Sequence, residues 1–150
     1  DLMRALGANP TPLPFGEVFS ALETRLIDGA ENNIRSFHSS RQFEIAGYWS
    51  ETQHSYAPDI LLMSKRNFDR LSADDQALLR VLAQRSVAVM REHWDASEAR
   101  AREAILAAGV EVNAVDLDAF RAAAAPVLAR YRAHPEVAPL VDRIEAEAAA

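Results

Sequence analysis

The 150-residue sequence predicts a helix-rich α/β fold. Three observations carry that expectation. A helical pattern runs unbroken from Ser72 to Ala108, two alanine-rich helical stretches follow it, and residues 48–54 and 57–64 have strand composition. With 49% hydrophobic and 25% charged residues the chain has globular composition, and one domain is the default expectation. At this length folding buries roughly 68–70% of the unfolded surface, so a core forms without disulfides or a structural metal.

The elements follow in order. Leu2, Met3, Leu6 and Gly7 read as the end of a helix closed by glycine, and the chain is expected to open inside an element. Pro10, Pro12 and Pro14 forbid helix and predict an extended segment at a sheet edge or in a lining loop. Val18, Phe19, Leu22 and Leu26 fall at helical spacing, and Asp28-Gly29 is the expected stop. Asn32-Asn33 offers an N-cap for a further helix through Phe37, Phe43 and Ile45 to Gly47. After the two strand candidates, Ser72 with Asp75 makes a capping box that opens the long helix, which ends before Gly109. Such a helix of roughly 36 residues reaches ~54 Å, longer than a domain of this size is wide, so it must kink or bridge two bodies. Residues 110–115 suit a short strand. Residues 116–131 and 135–148 read as helices that bend or restart at Pro126 and Pro139.

Charge and motifs then exclude functions. The net charge is −6, with 16 basic against 22 acidic residues and no basic cluster longer than a pair, so the field that neutralises nucleic-acid phosphates is missing. No apolar run approaches the ~20 residues of a membrane helix. Without cysteine, thiol catalysis, zinc-thiolate sites and iron–sulfur clusters are excluded. No phosphate-binding glycine loop, nucleophile elbow or zinc helix is present, and His38, His54, His93 and His134 lack ligand spacing. No catalytic residue, metal or cofactor is therefore expected.

Four motifs in succession point elsewhere: Leu6-Gly7-Ala8-Asn9-Pro10-Thr11-Pro12-Leu13, Glu17-Val18-Phe19-Ser20-Ala21-Leu22-Glu23, Ile27-Asp28-Gly29-Ala30-Glu31-Asn32 and Thr52-Gln53-His54-Ser55-Tyr56. In that order and with those gaps they resemble the carboxy-terminal half of a solute-binding protein of a tripartite ATP-independent periplasmic (TRAP) transporter. Leu71-Ser72, Asp75-Gln76, the long helix and Gly109-Val110 extend the similarity over nearly the whole chain. The resemblance implies one lobe of a two-lobed periplasmic-binding-protein-like fold with hinge strands and a long bridging helix. Ligand-lobe elements would occupy about 1–64, and the long and carboxy-terminal helices about 72–150. It implies a periplasmic receptor that captures a small carboxylate-bearing organic acid and delivers it to a TRAP membrane permease.

The residues that match the family's site follow from the same resemblance. Asn32 corresponds to the ligand asparagine, whose NH₂ could donate to a carboxylate; its alternative role is to cap the following helix. Phe15 matches an aromatic pocket wall, with plain core packing as the alternative. Glu31, Tyr48, Trp49 and His54 match positions that support the site or the hinge. The arginine with which the family clamps the carboxylate has no counterpart here, so the chain would supply one wall of the site, and the missing amino-terminal lobe the other. A homo-oligomer through the face that lobe would cover is a further expectation. A different class of reading, a helical protein–protein interaction module without small-molecule ligand, explains the long helix equally well.

Overall fold

The computed structural model describes residues 1–148. Ala149 and Ala150, the end of the expected carboxy-terminal region, lie outside the described residues. In chain order come α1 (Leu2–Ala5), a 3-10 turn (Phe15–Glu17), α2 (Val18–Glu23), α3 (Ile34–Ser39), a second 3-10 turn (Gln42–Glu44) and β1 (Tyr48–Glu51). They are followed by α4 (Lys65–Phe68), α5 (Ala73–Ala107), β2 (Glu111–Ala114), α6 (Leu117–Arg132) and α7 (Ala138–Ala148). The chain folds as two compact units, one of Asp1–Phe15, Ser50–His54 and the chain from Val112 onward, the other of Gly16–Trp49 and Ser55–Glu111. β1 and β2 pair as a two-stranded sheet, and each strand passes from one unit into the other.

The second unit holds the core. Ala21 and Leu22 of α2, Ile34 and Phe37 of α3, Ala101 and Ile105 of α5, and Val110 are buried, with Ile105 fully enclosed. The rings of Trp49 and Phe43 pack against Phe37 at centroid distances of 5.0 and 6.5 Å. Gln42 is buried among these elements, and its Nε2 has no hydrogen-bond partner among the described residues. Arg35 of α3 lies over the Trp94 ring of α5 at 3.9 Å, and its Nε donates to Ser97 Oγ at 3.0 Å. An aromatic face and a hydroxyl three residues apart thus hold α3 against the long helix.

α5 begins where the capping box places it: Ser72 Oγ accepts from the Asp75 N–H at 3.1 Å and donates to the Asp75 carboxylate. It ends at Gly109, whose φ of +88° is the left-handed conformation a glycine adopts without strain. The Gly109 N–H donates to the Leu106 carbonyl and the Val110 N–H to the Ile105 carbonyl, so the last carbonyls are satisfied while Val110 and Ile105 stay buried. Gly7, with φ +84°, closes α1 by the same pattern of bonds to Arg4 and Met3.

In the first unit α1 packs on α6, and Arg130 faces Asp1 at 3.4 Å. α6 opens on Asp116, whose carboxylate accepts from the Asp118 and Ala119 N–H groups at 3.0 Å. Arg132 near its end pairs with Glu145 of α7.

Several expectations are corrected. Residues 57–64 form no strand, because no second strand pairs with them among the described residues. The helix expected from Asn33 to Gly47 is cut after Ser39, where Arg41 turns left-handed at φ +61°. Arg25, at φ +57°, ends α2 before Leu26 and ahead of Asp28-Gly29. Gln53, at φ +46°, stops β1 short of His54. α6 does not restart at Pro126, since that proline and Ala122, whose carbonyl loses its partner, stand on the exposed side where water reaches them. α7 starts at Ala138, with Pro139 in the first turn, where a missing N–H costs nothing.

Candidate functional site

The loop between α2 and α3 presents the Asp28-Gly29-Ala30-Glu31-Asn32-Asn33 run. Asn33, not Asn32, caps α3: its backbone is extended, and its Oδ1 accepts from the Ser36 N–H at 2.9 Å. Asn32 is thereby released from capping. Its own Oδ1 accepts from the Asn33 N–H at 2.8 Å and from the Asn33 Nδ2 at 3.3 Å. With the carbonyl end of the Asn32 amide held by two donors, its orientation is fixed. The sequence offered both asparagines as caps. Extended backbone followed by helix at residue 34 decides in favour of Asn33.

The other expected residues divide between the two units. Glu31 is exposed beside Asn32, and Tyr48 and Trp49 belong to the same unit. Trp49 packs on Phe37, so its ring supports α3, whereas Tyr48 is 70% exposed. Phe15 and His54 belong to the other unit. Phe15 opens the first 3-10 turn and is 53% exposed, which sets core packing aside for that ring. His54 Nδ1 lies 2.6 Å from Thr52 Oγ1, and its ring sits 6.4 Å from Phe120.

Sequence reasoning passed over one polar feature of the second unit. A cavity of about 260 Å³ is lined by Asn33, Arg35, Ser36, His38, Ser39, Asp59, Trp94, Ser97 and Ala101. Its polar groups come from Asn33 and α3, from Ser97 in α5 and from Asp59 of the segment after β1, and only the i, i+3 spacing of Trp94 and Ser97 hinted at it. Among the described residues no three histidine or acidic side chains converge to hold a metal ion, and no helix is long and apolar enough to cross a membrane.

Residues 1–134 match the family described as bacterial extracellular solute-binding protein, family 7. The chain belongs to this DctP family. A curated solute-binding protein of Chromohalobacter salexigens is 37% identical over 142 residues, which cover 93% of this chain and 42% of the relative. A TRAP periplasmic solute-binding protein of a Bradyrhizobium species, solved in complex with D-galacturonate, is 48% identical, with a TM-score of 0.86. That match covers 95% of this chain and 48% of the solved one. A second solved TRAP protein, from Chromohalobacter salexigens with bound D-glucuronate, is 36% identical with a TM-score of 0.91, over 95% of this chain and 48% of its own. The chain thus spans less than half the length of these relatives. Its helix-rich α/β fold is that of one half of the two-lobed TRAP binding proteins, in a family of periplasmic receptors rather than enzymes.

Proposed function

We propose that this chain forms one wall of a periplasmic receptor that captures a hexuronate or a closely similar sugar acid and delivers it to a TRAP membrane permease. The orientation of Asn32 carries the reading. Its carbonyl oxygen is occupied by Asn33, so two N–H donors remain for a ligand oxygen. A donor pair at the mouth of a loop suits a carboxylate, and the galacturonate and glucuronate bound by the solved relatives narrow the acid to that class. Phe15, which belongs to the other unit, is exposed in the first 3-10 turn. His54, whose Nδ1 lies 2.6 Å from Thr52 Oγ1, supports the structure around the site. Glu31 does not contact the anion, because its charge repels it; Tyr48 and Trp49 serve the surrounding structure. The cationic clamp comes from the half of the receptor that these 150 residues do not match. The interaction-module reading loses its support, since the family's members are solute-binding proteins.

Calorimetry with D-galacturonate and D-glucuronate, on a receptor carrying both lobes, tests the role of Asn32. Asn32→Ala removes donors to a charged group and weakens binding by about 1.5–3 kcal/mol, roughly 10- to 100-fold. Asn32→Asp keeps the oxygen that accepts from Asn33 but turns a like charge on the carboxylate, so it loses more affinity at an unchanged melting temperature. Uronate affinity unaltered in both variants would remove Asn32 from the site.

A further inference from the structure

We infer that Asn33 is a positioning residue of the ligand site, which rests on the receptor reading above: its one side chain joins the start of α3 to the amide of Asn32 and sets which end of that amide faces the ligand. Two backbone N–H groups decide the orientation of both amides. The Ser36 N–H lies 2.9 Å from one end of the Asn33 side chain, and a backbone N–H only donates, so that end is the acceptor Oδ1. The other end of Asn33 is then Nδ2, which lies 3.3 Å from Asn32. The Asn33 N–H lies 2.8 Å from the same Asn32 atom, so this atom too is an acceptor, Oδ1. Exchanging the ends of the Asn32 amide would set an NH₂ against two donors and break both bonds.

The consequence is chemical. An asparagine that turns freely offers a ligand either an acceptor or a donor, and so takes a donating group as readily as a carboxylate. An amide held by its oxygen presents N–H groups, which suit a carboxylate and reject a group that only donates. Asn33 can hold Asn32 because it is itself held. It is the extended N-cap of α3, and α3 is fixed by buried Ile34 and Phe37 and by Arg35, whose Nε donates to Ser97 of α5 at 3.0 Å. The three bonds all lie between residues 32 and 36, in a stretch ordered by its own helix start. Position 33 therefore needs two groups at once, an acceptor for the Ser36 N–H and a donor for Asn32 Oδ1. Aspartate supplies only the first, and serine has a single oxygen for both tasks, whereas the two ends of asparagine divide them.

The test uses a receptor carrying both lobes, with Asn33→Ser and Asn33→Asp made alone and together with Asn32→Ala. Calorimetry gives the affinity for D-galacturonate and D-glucuronate, and nitrogen relaxation by NMR gives the order of the Asn32 NH₂ group without ligand. Serine and aspartate both cap a helix as asparagine does, so the melting temperature stays at that of the parent while Nδ2 is gone. Asn33→Ser then binds both uronates about 3- to 10-fold more weakly, the effect of one hydrogen bond, and the order parameter of the Asn32 NH₂ drops from its parental value to below about 0.6. Beside Asn32→Ala the same serine weakens binding no further, because the amide it releases is already absent. Asn33→Asp loses at least as much, and the part of its loss that persists beside Asn32→Ala is repulsion between its charge and the uronate. Losses of Asn33→Ser and Asn32→Ala that add in full, or a melting temperature that falls with the affinity, reduce Asn33 to a helix cap and overturn the inference. Parental affinity and amide order in Asn33→Ser, with binding weakened by Asn32→Ala, overturn it while the receptor reading stands. Uronate affinity unaltered by Asn32→Ala overturns both.

Discussion

Replacing Arg35 by alanine tests how α3 is held on the long helix. The guanidinium lies 3.9 Å from the Trp94 ring centroid and donates through Nε to Ser97 at 3.0 Å, both in a part-buried setting. A cation over an indole contributes about 0.5–2 kcal/mol depending on desolvation, and a hydrogen bond from a charged donor about 1.5–3 kcal/mol. Together they place the loss at about 3 kcal/mol. In a chain of this size that lowers the melting temperature by roughly 6–12 °C. Circular dichroism melts of Arg35→Ala, Trp94→Leu, Ser97→Ala and the two double variants that include Arg35 give the pairwise terms. Arg35→Lys keeps the charge but loses the flat stacking surface and the Nε donor, so it restores less than half of the loss. Additivity within about 0.3 kcal/mol for both pairs would show that Arg35 acts independently of Trp94 and Ser97, and the account of the α3–α5 contact would then be wrong.

Three other substitutions have expected signs. Asn33→Ala removes the cap of α3 and costs about 1 kcal/mol in thermal melts, whereas Asn33→Asp retains the acceptor and stays within a few tenths of the parent; equal losses would mean the cap is not what matters. Gln42→Met fills the same buried space without the unpartnered Nε2, and urea unfolding should report a gain of about 1–2 kcal/mol, a loss pointing instead to a hidden partner of that amide. Arg25→Gly relieves a left-handed residue that costs roughly 1–2 kcal/mol, less the ~0.5–1 kcal/mol of added chain entropy, so its midpoint in urea rises slightly while that of Arg25→Val falls; the reverse order would contradict the strain argument.

Much of this fold was legible in the sequence because its signals are local. Ser72, Asp75 and Gly109 bound α5 through contacts within five residues of chain, so reading them needs no tertiary information. Positive φ at Arg25, Arg41 and Gln53 was not legible, since each is an exposed residue of a type that carries no local signal for a left-handed backbone. Residues 57–64 carry a genuine strand signal, and the structure withholds only a pairing partner, which no local pattern specifies. For the site, the motif around Asp28-Gly29 located the loop, but the division of labour between Asn32 and Asn33 depends on where the helix begins, a matter of one residue. The Arg35 contact joins residues 62 positions apart, beyond any periodicity argument.

The interleaving of the two units has a bearing on how such a chain acquires its form during synthesis. The unit of residues 16–49 and 55–111 is complete once Glu111 has emerged, and it owns the buried side chains, so it can condense early. The other unit joins α1 to α6 across more than a hundred positions, and Asp1 must wait for Arg130. Closing so large a loop is slow, so α1 is among the last elements to settle, and a factor that shields nascent chains would find its target there.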